Sequence, residues 1–309
     1  MLIESAIDGF HRDCQAANLS ETTRQRYRDD LGEFSKYLCQ RKIIGLEEIS
    51  ANTLRDYVTY LLTRRNLGKG AYQQTQPLSP HTVDGRYRTV HRFFSFCMME
   101  RWIQENPMDR VRKPRVPKPI VARLEEGQVE KAIEMVEKTK NPQRNLALIL
   151  LMIYSGLRMG EVLGLKLVDL NLEAGSVLVM GKGRKQRRVP INIATVHAFS
   201  LWLAVRPPWG GELVFVNRDG TPFGREGVRS LFTRLRKKLG LPRFYPHLLR
   251  HTFAAIYLKR VRDFKSLQKI LGHARSSTTL DVYADFEDFE TIKAMHTEAM
   301  GDRGNGRHG

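Results

Sequence analysis

Prolines at positions 107, 114, 117 and 119 rule out a continuous helix through this part of the chain. Each fixes φ and removes an amide donor, which favours an extended backbone between them. Arg110, Arg112, Lys113, Arg115 and Lys118 fall in the same stretch with no acid among them. Residues 110–119 are therefore expected to form a basic linker, either one that crosses a phosphate backbone or a plain solvated one. It divides the 309 residues into a first domain over 1–109 and a second over 120–300.

The first part reads as helices. Ser20 can cap a helix whose Tyr27, Leu31, Phe34 and Leu38 share one face. A second helix starts near Ala51 and carries Leu54, Tyr57, Val58, Leu61 and Leu62. After a polar loop at 66–76, Ser79 and Pro80 begin a third, with Val83, Tyr87, Val90 and Phe94 on its apolar side. Arg86, Arg88 and Arg92 lie off that stripe, either as a solvated face or as a surface for a DNA backbone.

The second part is again helical over about 124–163, around a buried apolar run at 146–153 that is too short to cross a bilayer. Two β-rich runs, 176–180 and 188–193, flank GKGRKQR and predict a hairpin. Residues 213–216 suggest one more short strand. Helices are expected over 225–239 and from His247 onward. The expected fold is mainly α with a small β-hairpin, ending in a disordered tail at 301–309.

The charge narrows the function. Lys and Arg number 51 against 33 Asp and Glu, a net charge of +18. Such an excess favours a polyanion, most often nucleic acid, over an anionic membrane. The first residues are acidic where a secretion signal needs bases. The three cysteines (Cys14, Cys39 and Cys97) include no CxxC pair, which points to reduced thiols in a cytoplasmic protein and against a zinc site.

Breaking a phosphodiester without a metal needs an in-line nucleophile, fixed donors for the non-bridging oxygens, and a proton for the leaving oxygen. Arg158 follows the buried run and can be held rigidly by it. His247 and Arg250 are three apart, so on a helix they project from one face. Arginine suits the clamping task because its planar fork matches phosphate. Neighbouring His251 points elsewhere. Lys182 lies at the tip of the hairpin, where its flexible stem could protonate a leaving oxygen; Arg184, Lys185, Arg187 and Arg188 beside it read as phosphate-backbone contacts. His273 follows an amphipathic helix that Gly272 ends, and Tyr283 lies beyond a polar stretch. Tyr245 and Tyr257 are rival nucleophiles.

The segments SGLRMGEVLGL (155–165), VMGKGRKQRRVPI (179–191), HLLRHTFA (247–254) and LGHARSSTTLDVY (271–283) resemble the tyrosine recombinase, or phage integrase, family, and most closely its two-domain Xer-like members. The resemblance implies a helical, SAM-like core-binding domain followed by the family's catalytic domain. It implies that Tyr283 attacks the scissile phosphate to give a 3′-phosphotyrosyl link. Arg158 and Arg250 would clamp the phosphate, Lys182 would act as general acid, and His247 and His273 would assist; Glu161 would support Arg158. It implies no cofactor and no metal. The implied partner is double-stranded DNA with paired sites, bound by a homo-tetramer, with a related recombinase or accessory protein as a possible addition, and no membrane. Exchange would pass through a Holliday junction, in integration, excision or resolution. The face Phe286, Phe289, Ile292 and Met295 would dock on a neighbouring protomer or on its own domain. No arm-binding domain is visible ahead of the first helix, which argues against a lambda-type integrase. Arg112, Lys113 and Arg115 would join Arg86, Arg88, Arg92, Arg184 and Lys185 as DNA contacts. The rival readings are a type IB topoisomerase and a non-catalytic DNA-binding protein.

Overall fold

Serine caps set the helices of the first part where their sequence signals lie. Ser20, Ser50 and Ser79 each accept a hydrogen bond from the amide three residues on, opening α2 (Glu21–Cys39), α3 (Ala51–Thr63) and α4 (Pro80–Met99). Ahead of them lies α1 (Ile3–Ala16). The computed structural model describes residues 1–64, 77–117, 122–181 and 186–272. The chain divides into two units, Met1–Pro119 and Ile120–Gly309. The expected loop at 66–76 and the tail at 301–309 lie outside the described residues.

The first unit is cored by aromatic side chains. Phe10 meets Phe93 edge-on with ring centroids 5.9 Å apart, and Phe34 meets Tyr57 at 4.8 Å. The stretch expected to be linker is, at its start, part of this unit. A 3-10 turn, Pro107–Arg110, leads into buried Val111, whose carbonyl accepts from the Tyr87 hydroxyl at 2.7 Å. Arg55 holds the Arg110 carbonyl at 3.0 Å.

The second unit is built around α6 (Pro142–Ser155), in which residues 147–153 are all buried. It packs against α5 (Glu126–Glu137), α8 (Ile193–Val205) and α10 (Pro246–Val261). The helical stretch expected over 124–163 is three helices, because Pro142 starts α6 and Gly156 ends it, before α7 (Met159–Leu163). A three-stranded antiparallel sheet is formed by β1 (Leu170–Asn171), β2 (Ser176–Met180) and β3 (Gln186–Pro190). β3 begins two residues before the expected run, and Asn192 caps α8, which periodicity did not reveal. Residues 213–216 form no strand. They make isolated bridges: the Leu213 and Val214 carbonyls accept from Arg206 and Trp202, the Phe215 carbonyl from the Phe223 amide, and the Val216 carbonyl from Arg144. α9 (Arg225–Leu239) and α11 (Phe264–Leu271) complete the α-helices among the described residues. No helix among the described residues is long and apolar enough to cross a membrane.

Candidate active site

The chain reaches the site through a left-handed turn. α6 ends at Gly156 with φ +62°, and two residues later Arg158 caps α7. A side chain at 156 would run into Phe253 and come within 2.8 Å of Leu271, so the turn needs glycine for both conformation and space. Arg158 is thus delivered at the edge of the buried core, with 37% of its side chain exposed.

Arg250 lies on the inner face of α10 and is 2% exposed. Its Nη1 donates to the Gly156 carbonyl at 2.6 Å and its Nη2 to the Leu271 carbonyl at 2.9 Å. Arg158 Nη1 donates to that same Leu271 oxygen at 3.4 Å. The acceptor is the last residue of α11, at the negative end of its dipole, before Gly272 turns the chain with φ +63°. Two guanidinium groups from distant segments therefore meet on one oxygen. His247, in the first turn of α10, lies one turn from Arg250 on the same side.

Electrostatics follow from this crowding of cations. His247 is at the surface but against a densely packed region, and desolvation, then Arg250 and Arg158, lower its pKa. His251 is less accessible; its ring centroid is 5.1 Å from that of His247, and burial first, then His247 and Arg250, push its pKa down to about 4. Both rings are neutral at pH 7. Glu161 is almost enclosed, with 7% of its side chain exposed. Burial works to raise its pKa, but hydrogen bonds from Arg187 and the Arg158 amide, with the charges of both arginines, outweigh it and the net shift is down.

The structure thus brings Arg158, His247 and Arg250 together, with Glu161 behind Arg158. Lys182, His273 and Tyr283 lie outside the described residues, as do Arg184, Lys185 and the face of Phe286, Phe289, Ile292 and Met295. Of the rival tyrosines, Tyr245 caps α10 and Tyr257 packs against Phe253.

Several basic residues differ from their sequence reading. Arg187 is not a free phosphate contact: it donates to both Glu161 oxygens, at 2.9 and 3.0 Å. The signal was strand alternation, which puts Arg187 on the same face as buried Val189. In the first unit, Arg86 is turned inward, 3.8 Å from Asp30 and 4.0 Å from Glu33, with 18% of its side chain exposed. Its charge is thus directed at two carboxylates of its own unit. Arg88 and Lys113 are more open but share Asp84, at 3.1 and 3.4 Å. Arg92, Arg112 and Arg115 are exposed. The sequence reading also passed over a groove beside His247 lined by Arg225, Arg229, Arg236, Arg243 and Tyr245.

Two arginines and a histidine that converge at a helix end, in a chain of strong positive charge, fit an enzyme that acts on a DNA phosphate. The phage integrase family matches residues 122–289, and the phage integrase SAM-like domain matches residues 6–113. Tyrosine recombinase XerC of Bacillus pumilus is 32% identical over 272 residues, covering 85% of each chain. XerC of Halalkalibacterium halodurans is 33% identical over 276 residues, covering 85% of this chain and 86% of that one. Among solved structures, the Tn1549 transposon integrase in complex with a circular intermediate DNA aligns with TM-score 0.75 at 20% identity, over 97% of this chain and 99% of that one. XerH recombinase bound to a palindromic difH substrate aligns with TM-score 0.71 at 22% identity, over 92% and 82%. The chain belongs to the phage integrase family, as a tyrosine recombinase of the Xer-like type. Site-specific breakage and rejoining of DNA is its activity.

Proposed function

We propose that Arg158 and Arg250 hold the scissile phosphate of duplex DNA while Tyr283 attacks it. The observation that carries this is their convergence on the Leu271 carbonyl oxygen, which puts both guanidinium groups within reach of one small acceptor. A phosphate offers several such acceptors and a full charge, so it competes well for both forks. The expelled 5′ oxygen takes its proton from Lys182. His247, neutral at pH 7, hydrogen-bonds the phosphate or relays a proton, and His273 adds a further donor. The phosphotyrosyl bond keeps the energy of the broken one, so rejoining needs no ATP and the chemistry needs no metal.

The exposed Arg225, Arg229, Arg236 and Arg243 extend the positive surface from His247 and contact neighbouring phosphates; Arg92, Arg112 and Arg115 do so from the first unit. Residues 1–109 bind the core DNA, 110–119 cross its backbone, and 120–300 carry the chemistry. Four copies act on two paired sites in the cytoplasm. A supercoiled plasmid carrying two copies of the site that this protein selects from a random-sequence pool tests this reading. Resolved circles and a trapped four-way junction are expected. Relaxation without exchange would contradict it.

A further inference from the structure

The buried surroundings of Glu161 pose a charge problem that Arg187 solves. Each Glu161 oxygen accepts twice: Oε1 from Arg158 Nη1 at 3.0 Å and Arg187 Nη1 at 2.9 Å, Oε2 from the Arg158 amide at 2.9 Å and Arg187 Nη2 at 3.0 Å. With Arg158 alone, one enclosed carboxylate would cancel one guanidinium, and the pair would present no net charge to a phosphate. Arg187 supplies the second cation, so the three groups together keep a charge of +1 in a site where little water screens it.

Arg187 also fixes where that charge sits. It is on the inward face of β3, opposite Val179, with 14% of its side chain exposed. Its Nε donates to the Ile270 carbonyl at 2.8 Å, next to the Leu271 carbonyl on which Arg158 and Arg250 meet. A Cβ on Gly272 would lie 2.9 Å from its Cζ. One guanidinium thus ties β3, α7 and the end of α11. Resting on the reading of Arg158 as a phosphate clamp, we infer that Arg187 is a positioning residue for strand cleavage: it neutralises Glu161 and so leaves the charge of Arg158 available to the DNA. A lysine would not replace it, since one nitrogen lacks the planar fork whose three separate nitrogens reach both carboxylate oxygens and the Ile270 carbonyl.

The test compares Arg187→Gln, Arg187→Lys, Glu161→Gln and the double variant Arg187→Gln/Glu161→Gln in the full chain, with folding checked by thermal melting. The probe is a nicked duplex of the pool-selected site, scored for its dissociation constant and for the adduct-forming rate at saturation. Arg187→Gln is expected to slow the saturated rate about 100-fold with little change in DNA affinity, and Arg187→Lys to remain slow. Adding Glu161→Gln to Arg187→Gln is expected to restore part of the rate, because the uncompensated carboxylate is gone. A loss of DNA affinity at an unchanged saturated rate, or a double variant slower than either single one, would overturn the inference. Inorganic phosphate titrated against the His247 ring resonances gives a readout that needs no cleavage. Weaker binding in Arg187→Gln, regained in the double variant, supports the coupling even if wild-type protein forms no adduct, a result that would instead count against the recombinase mechanism. Equal phosphate affinity in all forms would overturn the coupling.

Discussion

Arg158 and Arg250, 92 residues apart, donate to a single oxygen, the Leu271 carbonyl, at 3.4 and 2.9 Å. The helix end that carries this oxygen thereby orients both guanidinium groups before any phosphate arrives. Donors arranged in advance need no reorganisation during reaction, which is where most electrostatic catalysis comes from.

Replacing Arg250 therefore affects both fold and chemistry. Arg250→Ala strips donors from the buried Gly156 and Leu271 carbonyls, at a cost of at least about 2 kcal/mol, and lowers cleavage by about 100-fold or more. Arg250→Lys retains the charge but not the fork, so its melting temperature is expected to lie between the two while its cleavage stays low. Thermal melts alongside single-turnover cleavage check this.

Gly156→Ala is expected to destabilise the second unit by about 2–4 kcal/mol, from positive φ and from the collision with Phe253 and Leu271. Gly211→Ala is the control: its φ is also positive, at +64°, but no atom lies within 4 Å of the added carbon. Denaturant midpoints should fall much further for the first variant. Equal losses would show that conformation alone, not the packing of α10 and α11, fixes the turn.

The histidine pair gives a pH dependence. His251 has its folded pKa lowered from 6.5 to about 4. Its contribution to stability is complete above 6.5, and is lost as pH falls through the window from 6.5 to about 4, where the unfolded chain takes the proton first. The loss amounts to roughly 2–3 kcal/mol. His251→Asn should flatten the stability profile in this window, measured by urea unfolding from pH 7 to 4.

In the first unit, inward and outward arginines should separate cleanly. Arg86→Ala removes the cation between Asp30 and Glu33 and is expected to cost about 1–3 kcal/mol of stability, leaving the salt dependence of DNA binding unchanged. Arg92, Arg112 or Arg115 replaced by alanine should leave stability alone and reduce the salt slope by about 1 for each phosphate no longer neutralised. Binding measured at several salt concentrations decides each case.

Much of this was legible in the sequence because it is local. A serine three residues before a free amide announces α2 and α4, and the apolar run at 146–153 announces α6. What was not legible depends on partners far along the chain. Apolar residues surround α8, from Ile193 through Phe199, Leu201 and Trp202, so no single stripe marked it as a helix. Residues 213–216 have the composition of a strand, but side chains of Arg206, Trp202 and Arg144 take the carbonyls of Leu213, Val214 and Val216. Arg86 and Arg187 look like any surface arginine until Asp30, Glu33 and Glu161 are brought against them. Arg158, His247 and Arg250 were readable as residue types, and the structure brings those three together. The shared Leu271 oxygen was not, because a backbone carbonyl leaves no mark in the sequence.

Attack by Tyr283 on a phosphate held by Arg158 and Arg250 would leave the protein joined covalently to DNA. Wild type and Tyr283→Phe are incubated with the nicked selected duplex in EDTA and run on a denaturing gel. A covalent protein–DNA adduct with wild type, absent with Tyr283→Phe while both bind the DNA equally, is the predicted result. An adduct that survives in Tyr283→Phe, or none from wild type on DNA that it binds tightly, would contradict the account.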